Sequence, residues 1–172
     1  MEVRAPRVGE VSLSMLLAYS EYMRERYCMA ILEMKPSEFI APLGLSWMFA
    51  SIRDLFVHMV ETEGEWVRRV LGEEAAATGA PAACPDAASV VTRWEEVRTR
   101  TRRALESTSD GEMDRLIETP FAGHPKLSVR QIFMHLLIHE VHHRGQITAA
   151  MRMRGVAPPP SDLYDYIAEQ LQ

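Results

Sequence analysis

Four of the six histidines in this chain fall between positions 135 and 143: His135, His139, His142 and His143. The stretch HEVHH places Glu140 between His139 and His143 and spells H-E-x-x-H, the spacing with which zinc proteases set two ligands and a general base on one helix. Neutral imidazole is a good donor to transition-metal ions. On a helix, His139 and His143 stand on one face ~6 Å apart along the axis, close enough to share one ion. His135 is on the same stripe but ~12 Å from His143, too far to join them. It reads instead as a core residue or a neighbour of a ligand. His142 points about 100° away from His143 and faces elsewhere.

A transition-metal site normally takes a third protein ligand. His58 is the outstanding candidate, because it sits in a second helical stretch among Leu55, Phe56, Met59 and Val60. Alone, such a histidine reads as a core residue bonded to a carbonyl or carboxylate. An i, i+4 histidine pair on another helix turns it into a ligand. His124, between Gly123 and Pro125, reads as an exposed loop residue.

The protease reading fails on context. Zinc proteases take a third ligand six residues past the second histidine, where this chain has Ala149, or a Glu some twenty or more residues on. Only Glu169 meets the second condition, and it lies beyond three consecutive prolines. A substrate-binding sheet upstream is also missing from the pattern. A di-metal carboxylate bundle would need Glu-x-x-His on two helices. Glu140 with His143 supplies one such pair, but Leu55 stands where His58 would need a Glu.

Around a three-histidine centre, Gln146 lies three residues past His143 and seven past His139, on the same face, where its amide can bond a water on the metal. Glu61 and Glu65 follow His58 by three and seven residues and share its face. Either can serve as a partner to a ligand or as a proton acceptor, with solvent exposure the competing reading for Glu65. Arg144 is about 100° off the ligand face and reads as an ion-pair residue. Gly145 removes a side chain, as the close approach of another helix would require.

Four helices must position these groups. The first runs from about Ser12 to Lys35, with Leu13, Leu16, Leu17, Met23, Tyr27 and Ile31 forming a one-sided apolar stripe. Residues 36–50 form a connector with a short turn after Ser37. The second helix opens at Ser51, with Asp54 reaching back as a capping box, and meets Gly72. Residues 73–89, rich in Ala, Gly and Pro, read as an exposed linker. The third runs from about Ser89 to Ser107, with Val90, Val91, Trp94, Val97, Thr101, Ala104 and Leu105 on one side. Residues 108–127 fit a long loop or a small hairpin. Ser128 with Gln131 caps the fourth helix, which Gly155 closes, and a short helix begins near Ser161. The expectation is one all-α domain spanning residues 1–172, a four-helix bundle with a short C-terminal tail helix.

At 172 residues, with 47% hydrophobic and 25% charged residues, the chain has the composition of one globular domain. A net charge of -5 argues against nucleic-acid binding, which needs a basic field. The arginine-rich run at 93–103 is interleaved with glutamates and reads as a solvated helix face. Cys28 and Cys84 lack a C-x-x-C spacing, and Cys28 reads as a small core residue. No signal-peptide pattern opens the chain and no membrane-length apolar run follows, so a soluble cytoplasmic protein is expected.

Three segments resemble the DinB-like superfamily, including its YfiT-type metal-dependent hydrolases: SIRDLFVHMVETEGEWV (51–67), HLLIHEVHHRGQI (135–147) and RGVAPPPSDLYDYI (154–167). The resemblance implies a four-helix bundle holding one divalent ion per chain, zinc or nickel, on His58, His139 and His143, and frequent homodimers. It also implies a small-molecule substrate, with relatives that use a low-molecular-weight thiol such as mycothiol, bacillithiol or glutathione in S-transfer. The alternatives are a metal-dependent hydrolase, in which water attacks with Glu61 or Glu65 as base, and a non-enzymatic stress-response metal-binding protein.

Overall fold

The computed structural model describes residues 13–44, 49–74, 84–119, 123 and 125–170. The expectations for His124 and for most of the Ala/Gly/Pro linker fall outside the described residues. The helices are α1 (Leu13–Glu33), α2 (Pro36–Ile40), α3 (Ile52–Val70), α4 (Ala87–Ser107), α5 (Val129–Met153) and α6 (Leu163–Gln170). The long four close a ring: α3 packs on α4 and α5, and α1 packs on the same two from the other side. This is the all-α four-helix bundle the periodicity predicts. The short α6 lies on α1. Residues 108–127 resolve in favour of the hairpin pairing: β1 (Leu116–Ile117) runs antiparallel to β2 (Leu127–Ser128), preceded by a 3-10 turn at Glu112–Asp114.

Capping residues fix where the helices begin. The Ser128 hydroxyl accepts the Gln131 N–H while the Gln131 side chain accepts the Ser128 N–H, satisfying two otherwise free amides of α5. For α3 only half the expected box forms. The Ser51 oxygen accepts the Asp54 N–H at 3.2 Å, but the Asp54 carboxylate is taken by Arg53. The start of α4 also differs: Asp86, not Ser89, is its N-cap, and Ser89 is the third residue of an Asp86–Ser89 box. Ser89 alone gave no reason to look three residues upstream.

Two apolar clusters fill the interior. One joins Tyr27, Ile31, Phe39, Phe56, Trp94, Ile147 and Met151; the other joins Trp66, Val70, Ala104, Ile117, Ile132 and Phe133. Each fully buried side chain of this size contributes about 1.5–3 kcal/mol. Gly64 brings α3 against α4, since a Cβ there would meet Val97 Cγ2 at 3.3 Å and Val97 is fully buried. Along α3, α4 and α5 the residues between the two clusters include buried polar ones: Glu63, Arg98, Thr101, Glu140 and Arg144. The chain therefore carries a polar layer at mid-bundle, at the level of His139 and His143. Arg98 corrects the solvated reading of the 93–103 run, because it is buried and paired with Glu21 from α1. Cys28 is only partly buried and Cys84 fully; both are free thiols, and burial pushes the Cys28 thiol up to about 12. No described helix is long and apolar enough to cross a membrane.

Candidate metal centre

The α3–α5 groove brings three imidazoles together. His58 Nε2 lies 3.1 Å from His139 Nε2, and His143 Nε2 lies 3.1 Å from that same nitrogen. The three ligand atoms are all within 4.8 Å of one another. Three nitrogens bonded to a tetrahedral ion at about 2.0–2.1 Å would stand roughly 3.3 Å apart, so the spacing suits a single ion.

Hydrogen bonding among the rings accounts for at most one of these two contacts. A proton on His139 Nε2 can serve only one of its two neighbours well. The Nδ1 of His143 lies 2.7 Å from Gln146 Oε1, an acceptor, which suits a ring protonated on Nδ1 with a bare lone pair turned inward. At least one of the two contacts at His139 Nε2 is then left without a proton, an arrangement that a cation would satisfy. Charge follows the same logic. Burial, then the neighbouring His143 and His58, push the His139 pKa down to about 3. Burial and His143 lower that of His58, and burial lowers that of His143. All three are neutral at pH 7, the state that ligates. The cluster can hold a divalent ion.

The groove has an aromatic wall. Phe49 packs 4.6 Å from the His58 ring and 5.6 Å from the His143 ring, measured between centroids. It arrives on the connector, which doubles back where the Leu43 N–H donates to the Ala50 carbonyl at 2.8 Å and Gly44 takes a left-handed φ of 69°. Sequence reasoning missed Phe49, since a lone aromatic in a connector carries no periodic signal.

Other expected residues fall out differently. His135 is not a core residue: it is exposed, with its ring 5.8 Å from Trp66 and 5.6 Å from His139. Burial there is taken by Leu136 and Leu137. Glu61 is bound by Arg93 from α4 at 3.0 Å, and Glu65 by Arg68 and Arg69 from its own helix at 2.7–2.9 Å. The Arg68 bonds hold the Glu65 carboxyl below its usual range. Gly145 does not admit a neighbouring helix, because a Cβ there meets nothing within 4 Å.

Glu140 settles the protease motif. It is buried on the far side of α5, where its carboxylate accepts from Ser20, from Arg24 at 2.8 and 3.0 Å, and from Arg144 at 2.8 Å. Arg144 is thus the ion-pair residue expected. Arg24 also reaches Glu63 at 3.1 Å, whose oxygens accept from Thr101 at 2.6 Å and Trp94 at 3.3 Å. Sequence reasoning missed Ser20, Arg24 and Glu63. Their only signal is polarity at positions interleaved with Met23, Tyr27, Val60 and Val67 on apolar stripes.

The family model described as the DinB family matches residues 11–172. The chain belongs to the DinB family. This DinB-family protein is 37% identical over 51 residues to Protein DinB of Bacillus subtilis, covering 30% of each chain. It is 27% identical over 101 residues to the uncharacterized protein YizA of the same organism, covering 59% of this chain and 63% of that one. In each case the match spans less than two thirds of the relative's length. A DinB-like protein from Bacillus cereus superposes with a TM-score of 0.67 at 19% identity, over 84% of this chain and 94% of that one. The DinB-like protein YjoA from Bacillus subtilis gives 0.60 at 13% identity, over 86% and 96%. At such identities these two structures speak for the fold alone.

Proposed function

We propose that this protein is a divalent-metal enzyme that transfers a low-molecular-weight thiol to an electrophilic small molecule, with zinc or nickel held by His58, His139 and His143. The observation that carries the reading is the convergence of three neutral imidazole nitrogens beside carboxylates already committed to arginines. A divalent ion held there supplies positive charge that favours the thiolate form of a thiol and leaves coordination positions for it.

The chain's own residues do the rest. Three histidines from two helices fix the place of the charge. Phe49 covers the His58 and His143 rings and keeps water off that side. Attack by water would call for a general base, and the two acids on the His58 face, Glu61 and Glu65, are held by arginines. A thiol has an ordinary pKa of about 8.5 and needs far less help to ionise than water does. In the transfer the thiol gives its proton to solvent, sulfur forms the new bond to carbon, and the leaving group departs with its electron pair. No oxidant or reductant is required.

The test is turnover of an activated aryl or alkyl halide with glutathione, bacillithiol or mycothiol, in protein loaded with zinc or nickel. Metal-dependent turnover with one thiol, abolished in His58→Ala, is expected. Turnover that needs no thiol would mean hydrolysis instead, and no turnover with any combination would remove the enzyme reading.

A further inference from the structure

Gln146 touches two histidines at once. Its Oε1 is 2.7 Å from His143 Nδ1, and its Nε2 is 3.2 Å from His142 Nε2. An amide presents an acceptor at one end and donors at the other, so it couples the protons of the two rings it joins. Only two arrangements satisfy both contacts. In one, the amide oxygen accepts from His143 Nδ1–H and the amide nitrogen donates to a bare His142 Nε2. In the other the amide is turned over, His143 accepts at Nδ1, and both rings carry their proton on Nε2. The first leaves His143 Nε2 free to ligate; the second blocks it.

We propose that Gln146, with its Oε1 accepting from His143 Nδ1–H, locks His143 in the Nδ1–H tautomer and is a positioning residue for the metal ligand. The inference rests on the metal-binding reading for its purpose but not for its chemistry. Free imidazole favours the Nε2–H form, so an unassisted His143 would rest mostly with its ligating nitrogen protonated. Partners of this kind fix the orientation of a ligand ring and raise its basicity. The helix supplies the geometry without a loop. Gln146 is three residues after His143 and four after His142, the two spacings that bring side chains together on one helix. His142 is exposed, so water can satisfy its other ring nitrogen in either tautomer.

The experiment is nitrogen NMR of metal-free protein labelled at histidine, at a pH where the rings are neutral, followed by titration with zinc. In the wild type, His143 should show a protonated Nδ1 and a bare Nε2. Gln146→Leu should shift it towards the Nε2–H form and weaken zinc binding about 10–100-fold, with helicity and urea midpoint of the metal-free protein unchanged. Gln146→Glu, whose carboxylate can only accept, should keep the Nδ1–H form and bind zinc at least as tightly as the wild type. His142→Ala should keep the Nδ1–H form and the zinc affinity, because the bond from His143 Nδ1–H to Gln146 does not need it. A wild-type His143 protonated on Nε2, or a Gln146→Leu protein with unchanged tautomer and affinity, would overturn the proposal. A wild type that binds no ion while His143 stays Nδ1–H would remove the metal reading and leave the lock standing.

Discussion

Two faces of α5 at the same level treat their polar groups in opposite ways. On the inward face, Glu140 and Arg144 are one turn apart, and both carboxylate oxygens of Glu140 accept hydrogen bonds. Among the described residues, Arg144 Nη2 is the one buried side-chain nitrogen or oxygen left without a partner. On the groove face, His139 and His143 are also one turn apart, yet their inward nitrogens meet only other imidazole nitrogens. A buried network in which opposite charges pair is part of the fold, even with one Arg144 nitrogen unpartnered. A cluster of imidazoles with too few protons to bond every contact is suited to a cation. The same four-residue step serves both, and only the chemistry of the partners separates them.

Breaking each face should therefore give opposite outcomes. Glu140→Ala leaves Arg24 and Arg144 buried with too few acceptors, and should destabilise the metal-free protein by about 3–5 kcal/mol in urea unfolding. His139→Ala should change the same measurement by no more than about 1 kcal/mol. If His139→Ala were the more damaging, the two faces would have been assigned the wrong way round.

Acid sharpens the comparison. In the folded protein the His139 pKa lies near 3 and those of His58 and His143 are lowered, against about 6.5 for histidine in an unfolded chain. Between those values the unfolded chain binds more protons, so the stability is full above about pH 6.5 and is lost as pH falls through the window. Metal-free protein should lose stability from about pH 6.5 downwards, and His139→Ala should flatten part of that slope. In the upper part of that range His139 stays unprotonated, and burial makes His58 and His143 take up protons less readily than free imidazole. Zinc affinity should then be level from about pH 8 to about pH 6, where a site with ordinary imidazole pKa values already weakens. Affinity falling in step with a pKa of 6.5 would show that the groove does not shield its ligands.

The smallest effect lies beside both faces. Gly145 sits mid-helix with open space around it. Gly145→Ala should raise stability by about 0.5–1 kcal/mol, from helix propensity alone. A loss instead would mean that Gly145 contacts something outside this chain.

Most helix boundaries and the three-histidine cluster were legible because each rests on local spacing: 3.6-residue periods, N-caps at Ser51 and Ser128, and histidines one turn apart. His58 was legible because an imidazole among Leu55, Phe56, Met59 and Val60 calls for a partner. Long-range pairing was not legible. That Arg24 on α1 reaches both Glu63 and Glu140, or that Arg93 takes Glu61 from the groove, depends on how helices are rotated against one another, which no single helix records. At His135 the spacing told half. The ring stands beside His139, with centroids 5.6 Å apart, but on the exposed surface and not in the core. Phe49 was invisible for a related reason, since the Leu43–Ala50 bond that brings it over the histidines has no pattern in sequence.

The central claim is that the three-histidine groove holds one divalent ion that the fold does not need. Titration of metal-free protein with cobalt(II), reading the visible absorption of the bound ion and far-UV circular dichroism on the same samples, tests it most directly. The account predicts saturation at about one ion per chain with helicity constant throughout, and little binding in His58→Ala. Binding that persists unchanged in His58→Ala, or helicity that appears only as cobalt is added, would contradict it.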